Sequence, residues 1–223
     1  MTDDCNEFRW IGKRTIRPDG VEKVTGRAAF GADRSLPGML VGRVLRSAHP
    51  HARIRSIDTS KAESVRGVKA IVTAADFPEI RVEDAVLGVP PVNYRHLSQN
   101  LMAREKVLYA GHTIAAVAAT SVSVAKRALA LIDVDYEILP HVIDVEAAMA
   151  KDAPLLHDDL FGAMGETESA VASNISKRVE FSIGDLEAGF AAADVVVERI
   201  FTTKPVHQGY IEPHAVVADV AED

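Results

Sequence analysis

The sequence predicts an α+β fold built in two units. Short runs rich in β-branched residues alternate with short stretches that begin at helix-capping residues, and a break rich in proline and small residues divides the chain beyond its middle. Of the 223 residues, 48% are hydrophobic and 26% are charged. Because a single domain typically has about 100 to 150 residues, we expect one complete domain and part of a second.

The first unit begins after an extended arm, residues 1–20, that ends in a Pro-Asp-Gly turn. Residues 39–45 and 53–58 predict two strands, joined by a loop over 47–51 whose proline disfavours a strand interior. A helical stretch over 61–65 follows, with three candidate capping residues before it: Asp58, Thr59 and Ser60. Gly67 ends this helix and residues 68–73 predict a strand, so the segment forms a strand–helix–strand unit.

A second unit of the same kind follows a long surface loop over residues 77–104, which shows no sustained period. Residues 113–119 predict a strand, Ser121 caps a helix over 122–131, and residues 132–136 alternate apolar and acidic side chains. We interpret this as a second βαβ-like unit. The acidic residues of its last strand, Asp133, Asp135 and Glu137, are interpreted as a solvated face.

A break separates this region from the rest of the chain. It contains two prolines, a turn over 145–150 capped by Asp144, and a stretch rich in small and acidic residues at 162–173. Beyond it, Asp185 caps a helix over 186–192. Residues 195–202 and 215–220 predict two strands, and the second lies so near the last residue that we expect an incomplete domain. The predicted division is 1–20 (arm), 21–140 (first domain), 141–174 (linker) and 175–223 (part of a second domain).

Composition excludes several classes of protein. The formal net charge is −7 with no basic cluster, which argues against a nucleic-acid partner. Cys5 is the single cysteine, so the chain can form neither an internal disulfide nor a four-cysteine metal cage. No apolar run approaches the roughly 20 residues of a membrane helix, and the acidic start lacks the pattern of a secretory signal. We therefore expect a cytoplasmic protein that binds no membrane.

The histidines supply the local candidates for chemistry, since the sequence contains no dinucleotide fingerprint, P-loop, nucleophile elbow or zinc-protease motif. His49 and His51 flank Pro50, and without a third ligand we interpret them as polar loop residues. His112 precedes an apolar strand, where a turn or interior hydrogen-bonding role is the favoured interpretation.

Residues 207–214 hold the densest set of polar side chains. His207, Glu212 and His214 formally supply two imidazoles and a carboxylate, a set that binds iron or zinc in some enzymes. Pro213 stiffens the backbone between two of these residues, and the spacing does not place all three on one face. A small metalloenzyme built on them is therefore the least favoured of three hypotheses for function.

Several ordered stretches resemble the molybdenum subunit of the xanthine dehydrogenase, aldehyde oxidase and carbon monoxide dehydrogenase family. They are RPDGVEKVTGRAAFGAD (17–33), LPGMLVGRVLRSAHPHARIRSIDTSKA (36–62), GVKAIVTAADFP (67–78), KVLYAGHTIAAVAA (106–119) and LIDVDYEILP (131–140), which resemble the α/β hammerhead domain of this family. The stretches GDLEAGFAAADVVVE (184–198) and VHQGYIEPHAVVA (206–218) resemble the opening of its molybdopterin-binding domain. The resemblance therefore runs from about residue 17 onward and implies both folds in that order.

The resemblance also implies a chemistry in which a molybdenum-bound oxygen is transferred to an electron-poor carbon, a glutamate acts as base, and electrons leave through 2Fe-2S clusters to FAD. It implies that the catalytic residues and the molybdenum–molybdopterin contacts lie outside this chain, and that the clusters and FAD belong to partner chains or domains. Gln208 and Glu212 are the two residues that it places near the approach to the cofactor. His112 departs from the pattern, because many relatives have glutamine or glutamate there.

Two other hypotheses for function are favoured over the small metalloenzyme. The first is an N-terminal segment of the catalytic subunit of a molybdenum hydroxylase, which would act with the remainder of that subunit, iron–sulfur and FAD subunits and a small-molecule substrate. The second is a non-catalytic binding or assembly module that uses the hammerhead fold. The substrate stays open, because similar scaffolds serve many substrates.

Overall fold

Two three-stranded sheets form the centre of the chain. The computed structural model describes residues 10–80, 86–87, 92–158, 163–164, 167–168, 171–175 and 177–220. The strands are β1 (Val41–Arg46), β2 (Ala52–Asp58), β3 (Val68–Thr73), β4 (Val86–Leu87), β5 (Val92–Asn93), β6 (Lys106–Val107), β7 (Thr113–Ala119), β8 (Asp133–Ile138), β9 (Ala163–Met164), β10 (Thr167–Glu168) and β11 (Lys177–Arg178). The α-helices are α1 (Gly20–Val24), α2 (Ser60–Glu63), α3 (Tyr94–Leu101), α4 (Val122–Leu129), α5 (Val145–Ala148) and α6 (Leu186–Ala191).

The two central sheets have the strand orders β1-β7-β3 and β6-β2-β8, and every pair in them is antiparallel. This confirms the predicted strands of the first unit but corrects the βαβ-like interpretation. Helix α2 connects β2 to β3, and α4 connects β7 to β8, so each helix joins strands of different sheets. The connection before β3 spans only residues 59–67, shorter than the dozen or so residues that a parallel crossover needs.

Alanines form much of the contact between α4 and the first sheet. Ala125 and Ala128 of the helix are fully buried, and so are Ala115 and Ala119 of β7. Small side chains let the helix lie close to the strand, and the remaining members of this core cluster are Ala62, Val117 and Ile132. A second cluster contains residues of β2, β6 and β7 together with one residue after α3: Ala52, Val107, Ile114 and Ala103. Leu45, Ile57 and Val134 pack against both clusters, so the two sheets share one apolar interior.

Three of the predicted helix caps are confirmed by direct hydrogen bonds. The Ser121 hydroxyl accepts from the Val124 amide (3.3 Å), the Asp144 carboxylate from Ala147 (2.8 Å) and the Asp185 carboxylate from Ala188 (2.9 Å). Each bond satisfies an amide that the first helical turn leaves without an intrahelical partner. The predicted turn before α1 is confirmed as well, since the Gly20 amide donates to the Arg17 carbonyl (3.1 Å).

Helix α2 ends at Glu63 with Ser64 as its C-cap, so the prediction that Gly67 ends this helix was wrong; the turn before β3 is formed instead by Gly67. Its φ of +99° lies in the left-handed region, which side chains rarely adopt. A Cβ at this position would lie 2.7 Å from the Thr120 hydroxyl oxygen and 3.3 Å from a methyl carbon of Val124. The Gly67 carbonyl also accepts a hydrogen bond from the Thr120 amide (2.9 Å), so the turn lies directly against the start of α4.

The prediction of a surface loop over residues 77–104 was wrong for its last part. Residues 94–101 form α3, and a short 3₁₀ turn (Ala74–Asp76) precedes the segment. Helix α3 carries the polar sequence YRHLSQNL, and tertiary hydrogen bonds hold its C-terminal end. Parts of this segment, residues 81–85 and 88–91, lie outside the described residues.

The two strands predicted beyond residue 194 were also wrong. The structure assigns no strand to 195–202 or 215–220, and their apolar side chains are exposed, as for Ile200 (88%) and Val216 (93%). A strand exists only when a second strand accepts and donates its backbone hydrogen bonds, and the described residues provide none at these positions. The β-branched composition alone therefore did not determine the backbone conformation.

Contacts between residues divide the chain into one unit of Met39–Glu198 and a second that combines Met1–Gly38 with Arg199–Asp223. The sequence-based division with a linker at 141–174 stays a prediction, and residues 162, 165–166 and 169–170 of its small-residue stretch lie outside the described residues. At the end of the predicted linker, the Asn174 side-chain nitrogen donates to the Ala148 and Pro154 carbonyls (both 3.0 Å). In the described part of the chain, no helix has the length and apolar character required to cross a bilayer.

Candidate functional site

His112 occupies a fully buried position at the start of β7. Its Nε2 lies 2.8 Å from the Gln99 carbonyl, and its Nδ1 accepts a hydrogen bond from the Leu108 amide (3.2 Å). Because Nδ1 is an acceptor here, the proton of the neutral ring belongs on Nε2, which donates to Gln99. The predicted interior hydrogen-bonding role of this histidine is therefore confirmed.

The C-terminal end of α3 is fixed by the same loop that carries His112. The Tyr109 hydroxyl donates to the Asn100 carbonyl (2.7 Å), and the Tyr109 ring stacks on the imidazole with centroids 4.4 Å apart. The Ala103 amide donates to the Thr113 carbonyl (2.8 Å), which joins the chain after α3 to β7. The bonds to Gln99 and Asn100 satisfy helix-end carbonyls that have no intrahelical partner. They explain how a polar eight-residue segment holds a helical conformation.

A polar cavity of about 220 Å³ lies against α3, and Gln99 and Leu108, the two residues bonded to His112, are in its wall. The Gln99 side-chain oxygen is buried and has no hydrogen-bond partner among the described residues. Lys106 is 14% exposed and pairs with Asp158 across 2.8 Å. The cavity contains both signs of charge, and its other lining residues are Glu79, Arg95, Arg104, Glu105, Leu156 and His157.

An apolar groove of about 360 Å³ shares Gln99 and Arg104 with this cavity. Its lining includes Phe77, which is 51% exposed, and Leu101, which is 69% exposed. Arg104 donates to the Phe77 carbonyl (2.8 Å) and so connects the groove to the polar cavity. Helix α3 thus separates a polar surface from an apolar one.

The His49-Pro50-His51 loop places its two imidazoles in different surroundings. The His51 Nδ1 lies 2.6 Å from the Pro140 carbonyl, and the residue is 4% exposed. The His49 ring meets the edge of Tyr136 with centroids 5.0 Å apart. Burial raises the pKa of the Tyr136 phenol, an effect that a side-chain hydrogen bond with Ser47 partly offsets. Both imidazoles therefore serve packing and loop hydrogen bonds in this structure.

Residues 207–214, the densest polar stretch, are exposed along their whole length. The Tyr210 ring lies 5.1 Å from the ring of His207 and 4.4 Å from the ring of His214, so the two imidazoles contact a phenol ring. The Gly209 amide donates to the His207 Nδ1 (3.0 Å), which occupies one of the candidate ligand atoms. Gln208 and Glu212 are both exposed, and their assignment to the cofactor approach stays a prediction.

A metal centre does not emerge from these residues. Within the described ranges, no three histidine, cysteine, aspartate or glutamate side chains lie close enough together to hold an ion. The residues that sequence reasoning missed are Gln99, Tyr109 and Lys106, which form the polar surroundings of α3. A buried glutamine carbonyl leaves no pattern in the sequence, although the Tyr109-Ala110-Gly111-His112 turn before a strand gave a partial signal.

Two family models match the chain in sequence order. One is described as aldehyde oxidase and xanthine dehydrogenase, a/b hammerhead domain, and matches residues 25–140. The other is described as molybdopterin cofactor-binding domain and matches residues 167–223. The first match alone covers more than half of the chain and includes both central sheets.

Relatives of known name agree with these matches. The chain is 40% identical to a probable xanthine dehydrogenase subunit from Bacillus subtilis, across 93% of this chain and 25% of that protein. It is 36% identical to the carbon monoxide dehydrogenase large chain of Afipia carboxidovorans, across 97% of this chain and 26% of that one. Among solved structures, quinoline 2-oxidoreductase from Pseudomonas putida superposes with a TM-score of 0.64 at 30% identity, over 83% of this chain and 22% of that one.

The chain therefore spans about a quarter of the length of these relatives. The described sheets, the two ordered matches and the structural likeness agree with the α+β hammerhead fold that the sequence motifs implied. The chain belongs to the aldehyde oxidase and xanthine dehydrogenase family and contains its a/b hammerhead domain.

Proposed function

We propose that the chain supplies the hammerhead domain and part of the molybdopterin-binding domain of a molybdenum-dependent oxidoreductase. The observation that carries this proposal is the ordered pair of family matches, at residues 25–140 and 167–223, within relatives that are named as dehydrogenases. The hammerhead region provides a packed scaffold, and the region beyond it provides residues for a cofactor-binding domain. The substrate is a small molecule whose class stays open, because the named relatives act on different compounds.

The described residues do not by themselves form a site for molybdopterin. A pterin with its phosphate and metal needs many converging donors, whereas the side chains between Arg199 and Val220 are exposed and, in the described part, no metal-holding group is present. The catalytic residues and most cofactor contacts belong to residues outside this chain in the proposal.

Gln208 and Glu212 are the residues of this chain that we assign to the approach to the cofactor. A glutamine offers both a donor and an acceptor, and a glutamate offers a carboxylate, which suit the edge of a pterin. Both are exposed and lie in the segment that matches the cofactor-binding domain, so both are accessible to a further part of the protein.

The exposed apolar side chains of this segment support an assembled state. Phe201 is 86% exposed, Val206 is 89% exposed and Ile211 is 97% exposed. Large apolar side chains that recur along one segment are typical of a surface covered by another part of a protein. We assign the covering part to the remainder of the molybdenum subunit. Iron–sulfur and FAD subunits complete the proposed electron-transfer chain.

Co-expression tests this proposal. The chain would be produced alone and together with the remaining three quarters of a large molybdenum subunit, and molybdenum content and dye-linked dehydrogenase activity would be measured. We expect no molybdenum and no turnover in the single chain, and a cofactor-loaded complex after co-expression. Stoichiometric molybdenum with turnover in the single chain would contradict the assignment of the cofactor contacts.

A pair of variants makes the same experiment sharper. Phe201→Asp places a charge in the proposed contact surface and should abolish recovery of the complex, because an unpaired buried charge is costly. Phe201→Tyr keeps the ring and should preserve it. The alternative function, an assembly module without a catalytic role, predicts instead that the large fragment retains molybdenum and activity when this chain is removed.

A further inference from the structure

Helix α3 is anchored to the sheets by one buried histidine whose two ring nitrogens have opposite hydrogen-bonding roles. Nε2 donates to the Gln99 carbonyl across 2.8 Å, and Nδ1 accepts from the Leu108 amide across 3.2 Å. The residue is 0% exposed, and its own carbonyl accepts from the Ser47 amide (2.9 Å). The ring thus connects the C-terminal end of α3 with the loop before β7, and the backbone of the same residue bonds to the chain just after β1.

We infer that His112 is a pH-sensitive clamp, in which the neutral imidazole holds the C-terminal end of α3 in place and protonation of the ring releases that end together with the cavity wall that it forms. The inference does not depend on the proposed function, because it rests on contacts within the hammerhead region alone.

The geometry allows only the neutral ring. A protonated imidazole carries hydrogen on both nitrogens, and the second proton would sit on Nδ1, where the Leu108 N–H already points. Two donors would then face each other, and the Leu108 amide would lose its acceptor. The new positive charge would also lie in a fully buried position, which disfavours the charged form.

The groups around the ring do not remove this penalty. Burial lowers the pKa of His112 below the ordinary 6.5 of imidazole, and it outweighs the carbonyls of Gln99 and Asn100, which favour the charged form. The Tyr109 phenol ring stacks on the imidazole and Arg46 donates to the neighbouring Gly111 carbonyl. Four further charged side chains on α3 and on the segment from residue 104 to β6 line the polar cavity: Arg95, Arg104, Glu105 and Lys106. None of these charges is among the causes of the lowered pKa.

The direction of the pH effect follows from this lowering. When the clamp opens, the ring regains its ordinary pKa and binds a proton more strongly than the closed form does. The stability of the closed clamp is therefore fully present above about pH 6.5 and is lost as the pH falls from there through the lowered pKa. Since Gln99 and Leu108 line the polar cavity, opening removes two parts of its wall.

Hydrogen exchange of the full chain tests the clamp. Protection factors, corrected for the intrinsic pH dependence of exchange, would be measured from about pH 7.5 to about pH 5. We expect peptides covering residues 94–112 to lose protection about tenfold for each unit by which the pKa is lowered, whereas peptides covering α4 keep theirs. A parallel change in both regions would mean that the whole domain opens, and the clamp would be refuted.

His112→Gln is the matched variant. A glutamine can accept from the Leu108 amide and donate to the Gln99 carbonyl, but it does not titrate. The variant should therefore keep the protection of residues 94–112 at neutral pH and abolish its loss at low pH. His141→Gln makes the same change at an exposed histidine and should leave the pH dependence intact. A loss of protection that persists in His112→Gln would overturn the inference.

A measurement on the unaltered chain decides the matter if His112→Gln does not fold. Nuclear magnetic resonance with ¹³C-labelled histidine gives the ionisation of each ring directly. We expect the His112 ring to titrate below 6.5, and the loss of protection at 94–112 to extend from about 6.5 down to that midpoint. Titration of His112 at or above 6.5 would refute the clamp.

Discussion

The hammerhead region and the segment beyond residue 194 contain similar runs of β-branched and small residues but adopt different structures. In β7, the sequence TIAAVAA pairs with β1 on one side and β3 on the other, and Ile114 is completely buried. In 195–202, the sequence VVVERIFT has no strand, and Ile200 is 88% exposed. The difference teaches that composition makes a strand possible, whereas hydrogen-bonding neighbours make it form.

Limited proteolysis should show the largest difference between the hammerhead region and the chain that follows it. We expect limited digestion with trypsin to cut first at Lys151, within residues 151–174, and to leave a fragment that contains the two central sheets. Mass spectrometry of the early products would locate the cut. Asn174→Ala, which removes the hydrogen bonds to Ala148 and Pro154, should accelerate it. Early cutting inside residues 106–136 would contradict the proposed division.

Truncation of a buried and an exposed isoleucine compares the two regions directly. Ile114→Ala removes three carbons from a fully buried position and should lower the free energy of unfolding by about 2 to 5 kcal/mol. Ile211, which is 97% exposed, is the matched control, and Ile211→Ala should change it by less than about 0.5 kcal/mol. Urea denaturation followed by circular dichroism would measure both. Equal losses would show that residue 211 is buried in solution.

A glycine pair tests the turn that joins α2 to β3. Gly67→Ala should cost about 2 kcal/mol, because φ is +99° and the new Cβ would lie 2.7 Å from the Thr120 hydroxyl oxygen. Gly42→Ala is the control, since a Cβ there meets no atom within 4 Å and φ is not positive. Thermal unfolding of the two variants would be compared. A neutral Gly67→Ala would indicate that the turn relaxes without cost.

The smallest expected difference concerns two helix caps. Ser121→Ala removes the cap of α4, which packs on the core, and should lower the free energy of unfolding by about 1 kcal/mol. Asp185→Ala removes the cap of α6, which has no buried residue, so global stability should change by less than about 0.5 kcal/mol. Chemical denaturation would test both variants, and a larger effect of Asp185→Ala would mean that α6 packs against the rest of the protein.

Local signals predicted the elements that depend on local contacts. Ser121, Asp144 and Asp185 cap helices as expected, because a short side chain reaches the amides of its own first turn. Gly67 turns the chain between α2 and β3, because its left-handed conformation is likewise a local property. The strands β1, β2, β3, β7 and β8 were predicted from β-branched runs, and they formed because each one met a partner.

Helix α3 was not predicted, because the contacts that hold it are not local. Its apolar residues Tyr94, Leu97 and Leu101 recur at helical spacing in a short polar segment. The contacts that hold its C-terminal end come from Tyr109 and His112, several residues further along the chain. The surroundings of His112 were not predicted for the same reason. A single histidine before a strand suggested an interior hydrogen bond, but the sequence did not indicate that the partner would be a helix end or that a polar cavity would lie behind it.

The sequence by itself determined the family, the helix caps, the glycine turn and the set of apolar runs that can become strands, because each of these depends on neighbouring residues or on ordered motifs. Only the tertiary structure decided which runs became strands, that α2 and α4 connect strands of different sheets, and that His112 anchors α3. These features depend on hydrogen bonds and burial between residues far apart in the chain. Such contacts exist only after the backbone has brought both partners together.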